Sequence, residues 1–296
     1  MKKLRIRYPV WVSIGLTALF LLSSLLGSIP LLIWPGMMEY SEYLAELVAE
    51  LVALLVMTLA TLVLGMGDTF WPSGRPLREK LLPCAALLIF YTIAMLEELI
   101  LCIGQPVQSG ARIVFFVLCM LAVGVTEELV FRGLITRMLY EKYGHSSLGV
   151  WFSVLISSLL FGAVHMTNAA AGIPTAGVAV QMGAAACMGI CLSAIYLRSG
   201  SLWPVALLHG YMDFCALISS GVFAGDSIED LIGGYSIANL IAGLGYAAIG
   251  IFLLRPSKMR KLTGGRGQFT AGDLVKLMVV VALFSGLVTA IVVLSV

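Results

Sequence analysis

VWVSIGLTALFLLSSLLGSIPLLIW, residues 10–34, runs for 25 residues without an acidic or basic side chain. As a helix rising about 1.5 Å per residue it covers about 37 Å, more than a hydrocarbon core roughly 30 Å thick. LAELVAELVALLVMTLATLVLGMG, residues 44–67, follows at once and is as long. Working outward from these two, the chain of 296 residues is 60% hydrophobic and only 11% charged, with a mean hydropathy of +1.02. A soluble domain carries roughly 25% charge. Composition therefore excludes a soluble enzyme and a disordered scaffold. A formal charge of +2 leaves no basic face for nucleic acid. The six cysteines, Cys84, Cys102, Cys119, Cys187, Cys191 and Cys215, all fall in apolar runs and read as small buried hydrophobes rather than a disulfide framework.

Apolar runs set against their polar breaks predict an all-α, polytopic membrane bundle of about nine transmembrane helices, with eight as the alternative count. The predicted spans are 9–34, 44–67, 81–103, 111–140, 147–170, 175–198, 201–221, 234–254 and 272–296. The first is too long for a signal-peptide core and is expected to be retained. Alternation tests the count. With Lys2, Lys3, Arg5 and Arg7 inside, 17 of the 18 basic residues fall on the cytoplasmic side, and only Arg112 falls outside. The first and seventh loops hold Glu39, Glu42, Asp226, Glu229 and Asp230 and no Lys or Arg. This is the asymmetry that orients membrane proteins, and it predicts a cytoplasmic N-terminus. No internal repeat of the transporter kind is evident. Small-residue pairs such as Ala238/Ala242 and Gly243/Ala247 predict close packing of the eighth helix.

An ionisable side chain in mid-membrane costs roughly 2.5–3.5 kcal/mol on insertion scales, so each one points to pairing or function. The candidates are Glu127, Glu128 and Arg132 (VTEELVFRG), His165 (FGAVH), and His209 with Asp213 (LLHGYMD). Glu128 and Arg132 are four apart and stack on one α-helical face. Glu127 lies about 100° round from Glu128 and points elsewhere. His209 and Asp213 repeat the four-residue spacing, as do Phe161 and His165, which gives the second imidazole an aromatic wall. A carboxylate without a local cation, near two histidines in a low-dielectric bundle, has the parts of a hydrolytic site. The carboxylate serves as general base for water, and a histidine binds the developing oxyanion.

These three strings, EELVFR at 127–132, FGAVH at 161–165 and HGYMD at 209–213, resemble in order the EExxxR, FxxxH and HxxxN/D signature of the CPBP (Abi) intramembrane proteases. This is the family of type II CAAX prenyl endopeptidases and bacteriocin-processing or immunity proteins. The resemblance covers about 111–221, which divides the chain into N-terminal membrane helices (1–110), a catalytic core (111–221) and C-terminal membrane helices (222–296). It implies that Glu127 and His165 activate water, that His209 and Asp213 hold the oxyanion, and that Glu128 and Arg132 brace the site, with Phe161 beside His165. Where the better-known branch has Asn, this chain has Asp213. An ionised Asp only accepts. Three roles stay open for it: direct oxyanion contact when protonated, orientation of His209, or metal ligation. A zinc site from His165, His209, Asp213 and Glu127 is the alternative chemistry. No cofactor is the expectation, because the Glu-His pair suffices.

The expected function is an intramembrane endopeptidase acting on a lipidated protein, a peptide precursor or a small membrane protein. Its cavity is expected to open to the cytoplasmic side of a bacterial cell membrane. Its partners are membrane lipid and that substrate; the sequence fixes no oligomeric state. A catalytically silent scaffold or immunity protein is the competing reading, and a proton-coupled transporter the third.

Overall fold

The computed structural model describes residues 2–34, 36–71, 73–170, 172–225 and 227–263, with 275 and 279. The predicted ninth helix, 272–296, lies outside these residues, as do Asp226, Arg266 and Lys276. Among the described residues the regular elements are all helical, and an isolated bridge joins Val107 to Phe223. Six helical runs are long and apolar enough to cross a membrane: Pro9–Gly27, Glu42–Val63, Leu77–Leu101, Gly110–Tyr143, Ser147–Ala170 and Thr175–Ser199. Ile237–Leu253 and Pro256–Leu262, bent by 65°, together form a seventh candidate. The protein is an all-α, multi-pass membrane protein.

Three predicted spans differ in detail, each for a local reason. The run 9–34 breaks after Gly27, because Pro30 has no N–H to continue the ladder and starts a new turn, Pro30–Ile33. The run 201–221 becomes Leu202–Ala216 followed by Ile218–Val222. At 15 residues, its main helix rises only about 22 Å. The run 111–140 extends to 110–143, and within it Leu129–Thr136 winds as a π-helix. Apolar periodicity cannot announce a π-turn, and such turns collect at functional sites. The carbonyl of Phe131 in this wide turn accepts from the Thr136 hydroxyl at 2.8 Å and from the Ser157 hydroxyl at 2.6 Å.

The chain forms two compact units. One comprises Ala18–Val130 and Ser199–Ile228. Its central helix, Gly110–Glu128, packs between Glu42–Val63 and Leu202–Ala216, and the last also lies against Ala85–Leu101. Tyr43, Leu47, Phe116, Cys119, Met120 and Ala122 make its core. Small residues set the closest approach: a Cβ at Gly124 would lie 2.5 Å from the Ala206 carbonyl oxygen and the Gly210 nitrogen. A Cβ at Gly210 would lie 2.6 Å from the Met120 carbonyl oxygen. Without aqueous hydrophobic drive between helices, such contacts supply the packing energy of a membrane interface.

The other unit comprises the described parts of Met1–Thr17, Phe131–Arg198 and Glu229–Val296. Gly243 and Gly250 seat against Ala184 and Cys191, giving the predicted close packing of the eighth helix a matched seven-residue spacing on both sides. At one end of this unit Arg5 pairs with Glu141 at 3.0 Å, and Lys142 donates to the Ile6 carbonyl at 3.0 Å. Tyr140 donates to the Leu262 carbonyl at 2.6 Å, and Arg198 to the Leu253 carbonyl at 3.1 Å. Segments that the basic-residue count assigns to one side of the membrane thus meet at one end of one unit.

Candidate active site

The Gly124–Gly210 crossing fixes what lies one turn further on. Glu127 and Glu128 follow Gly124 by three and four residues, and His209 precedes Gly210 by one, so the crossing delivers two carboxylates to one imidazole. His209 Nδ1 stands 2.8 Å from Glu128 Oε1. His209 Nε2 faces Asp213 Oδ2 at 3.5 Å and Glu127 Oε2 at 3.7 Å. The ring and the Glu128 side chain are 3% and 0% exposed, while Glu127 and Asp213 keep 14% and 27%.

This gradient separates roles. An ionised carboxylate only accepts, so Nδ1–H donates to Glu128, and this sealed contact fixes the orientation of the ring. The two partly accessible acids both face the opposite nitrogen. Asp213 therefore meets the ring edge that Glu127 also faces, whereas the orienting contact at Nδ1 comes from Glu128. Helix geometry in the sequence predicts the Asp213–His209 stacking; it carries no sign of the Glu128–His209 contact, which is made across 81 residues of chain.

His165, Phe161 and Arg132 belong to the other unit. His165 caps the C-terminus of Ser147–Val164. Its Nδ1 lies 3.0 Å from the Phe161 carbonyl oxygen, an obligate acceptor, so Nδ1 carries the proton and Nε2 is the acceptor nitrogen of the neutral ring. The Phe161 ring meets the imidazole edge-on at 5.3 Å and 85°, supplying the expected aromatic wall. On the same Phe161 ring, 4.3 Å from its centroid, sits the fully buried Arg132 guanidinium, a cation–π contact in a dry site. The structure thus gathers Glu127, Glu128, His209 and Asp213 in one unit, and Arg132, Phe161 and His165 in the other.

A further acid joins the first group. Glu50, on Glu42–Val63, is 4% exposed. Its carboxylate lies in hydrogen-bonding reach of Thr126 and in electrostatic reach of Glu46, Glu127 and His209. No role for Glu50 is read from the sequence. The available signal is the one-turn spacing of Glu42, Glu46 and Glu50 on a single helical face.

Among the described residues no three His, Cys, Asp or Glu side chains converge so as to hold a metal ion. In the His209 cluster, Nδ1 is engaged by Glu128, and Asp213 and Glu127 face the other nitrogen at ion-pair separations of 3.5 and 3.7 Å. Of the candidate zinc ligands, His165 lies in the other unit from Glu127, His209 and Asp213.

In this multi-pass membrane protein, one buried histidine, His209, thus lies among three carboxylates. Residues 109–215 match the family model of the type II CAAX prenyl endopeptidase Rce1-like proteins, so this segment is similar to the CAAX proteases. No curated protein and no solved structure matches the chain. The matched segment contains all three motifs that carry the resemblance. The match supports an intramembrane protease in general, in a chain with several membrane-crossing helices.

Proposed function

We propose that the protein hydrolyses a peptide bond in a membrane-associated substrate, a lipidated protein or a precursor peptide, with Glu127 as general base. The observation that carries this reading is the His209 ring, oriented at Nδ1 by buried Glu128 and presenting Nε2 to the accessible acids Glu127 and Asp213. Glu127 takes a proton from water as the oxygen adds to the scissile carbonyl carbon. His209, protonated on both nitrogens among these acids, donates from Nε2 to the oxyanion. The C–N bond then breaks, and the proton held by Glu127 passes to the leaving nitrogen. Asp213 faces Nε2 and steadies the protonated ring. The part of His165 in activating water rests on the motif resemblance, and the acceptor character of its Nε2 suits that part.

The family description and the membrane setting favour a prenylated or otherwise lipidated substrate. The distribution of basic residues supports a cytoplasmic N-terminus, the polar lead-in at 145–147 supports a site open to the cytoplasmic side, and bacterial peptide maturation is the setting the bacteriocin-processing resemblance suggests. The test is mass spectrometry of peptide termini in membranes from cells making the wild-type protein or Glu127→Ala at matched levels. Termini made only by the wild type are expected. Identical termini in both, with any biological effect preserved by the mutant, would move the function to a silent scaffold or immunity protein.

A further inference from the structure

Glu50 is a costly residue for its position. A buried carboxylate in a membrane helix is retained where it is paired or used, and Glu50 has an oxygen, Oε2, with no hydrogen-bond partner while the side chain is 4% exposed. Its other contact is the side chain of Thr126, the residue before Glu127. The charged and titratable groups around it are Glu46 on its own helix, Cys119 and Glu127 on the Gly110–Glu128 helix and His209 on Leu202–Ala216. A polar link between helices needs only one accepting atom, and a hydroxyl or amide would serve with less desolvation. A full carboxylate beside two other acids makes a poor link. It makes a good proton acceptor.

The row behind Glu50 strengthens the argument. Glu42, Glu46 and Glu50 recur at one-turn spacing, about 6 Å apart along the axis, and Cys119 lies in electrostatic reach of all three and of Asp213. The outer end of the row, Glu42, lines an open cavity of about 290 Å³ together with Tyr40, Gln108 and Arg112. The row thus has its outer end, Glu42, at a cavity and its inner end, Glu50, in electrostatic reach of Glu127.

We infer that Glu50 is a positioning and proton-sharing residue of the hydrolytic site, acting through Glu127 at the inner end of a carboxylate row that leads to the Glu42 cavity. The inference rests on the function proposed above. The proton that Glu127 takes from water is shared with Glu50 while the tetrahedral intermediate stands, and it returns through Glu127 to the nitrogen as the C–N bond breaks. One water is consumed, and both carboxylates end as they began.

The experiment compares wild type, Glu127→Gln, Glu50→Gln and Glu50→Asp. Wild-type-specific peptide termini are first identified in membranes, and a quenched fluorescent peptide copying the cleaved sequence then gives kcat and KM. Glu50→Gln keeps the shape and the Thr126 contact but cannot take a proton. It is expected to lower kcat about ten- to a hundredfold with KM unchanged, while thermal unfolding in micelles stays level or rises. Glu50→Asp is expected to recover most of kcat. Full kcat in Glu50→Gln, with Glu127→Gln silent, overturns the role of Glu50 and leaves the proposed function standing. A loss of kcat that tracks a lowered melting temperature, without recovery in Glu50→Asp, makes Glu50 structural and also overturns it. Absence of any wild-type-specific cleavage removes the proposed function and this role together.

Discussion

Gly124 and Gly210 meet so closely that a Cβ on Gly124 would lie 2.5 Å from the Gly210 nitrogen, and this crossing sets the register of Glu127 and Glu128 against His209. Because backbone atoms make the contact, no side chain can swing aside to make room. Gly124→Ala is expected to push the two helices apart and to lower stability by about 1–3 kcal/mol, with loss of cleavage exceeding the loss of folded protein. Thermal unfolding beside specific activity checks this. Unchanged values for both would show that the crossing does not hold the site.

The sealed Glu128 carboxylate holds Nδ1 of His209 at 2.8 Å. Removing it leaves a buried ring N–H without its acceptor, a penalty of roughly 1–3 kcal/mol. Glu128→Ala is expected to lower kcat about ten- to a hundredfold, the rate equivalent of that energy. Glu128→Gln, whose amide oxygen still accepts, should lose less. Nitrogen-15 shifts of the His209 ring provide the readout that a merely destabilised protein would not give: both ring nitrogens protonated in wild type and Glu128→Gln, and a neutral ring of mixed tautomers in Glu128→Ala.

How far these relationships can be read from sequence depends on whether they are local. The helices before residue 200 are legible because each is a long apolar run, and Glu127, His165, His209 and Asp213 stand out because ionisable residues are scarce in such runs. The i,i+4 stacking of His209 and Asp213 is legible because one helix makes it. The Glu128–His209 contact is not, since it depends on two glycines meeting across a helix pair, and glycine is common in membrane helices. Glu50 escapes for the same reason: burial comes from the Gly110–Glu128 helix lying on it, which no pattern within 42–63 reveals. The π-turn at 129–136 has no compositional mark, and the short helix 202–216 is hidden because the residues after it are as apolar as those within it.

Asp213 faces Nε2 at 3.5 Å and keeps the largest exposure of the four clustered side chains. Asn at this position has the same shape and supplies both a donor and an acceptor. Asp213→Asn is therefore expected to keep kcat within about tenfold of wild type, the cost of losing one charge-assisted contact. Asp213→Leu, which offers neither group, should fall much further at unchanged expression. Equal loss in both variants would show that the negative charge itself is required, and would shift Asp213 from hydrogen bonding towards charge compensation of His209.

His165 offers the sharpest separation of fold from chemistry. Its Nδ1–H is bound to the Phe161 carbonyl at 3.0 Å, and its ring packs edge-on against Phe161, whose face carries Arg132. Asn at 165 can place an amide N–H where Nδ1–H stands, keeping the bond to the carbonyl, but it has nothing at the position of Nε2. If His165 serves only to cap its helix and pack on Phe161, His165→Asn should cleave like wild type. If its acceptor nitrogen takes part in water activation, the variant should fold with a melting temperature close to wild type and lose cleavage by about 10²-fold or more, the usual worth of a general base. The second outcome is expected, because a merely structural histidine at a helix end needs no acceptor on its far side. The comparison is made by peptide-termini mass spectrometry and thermal unfolding on the same membrane preparations.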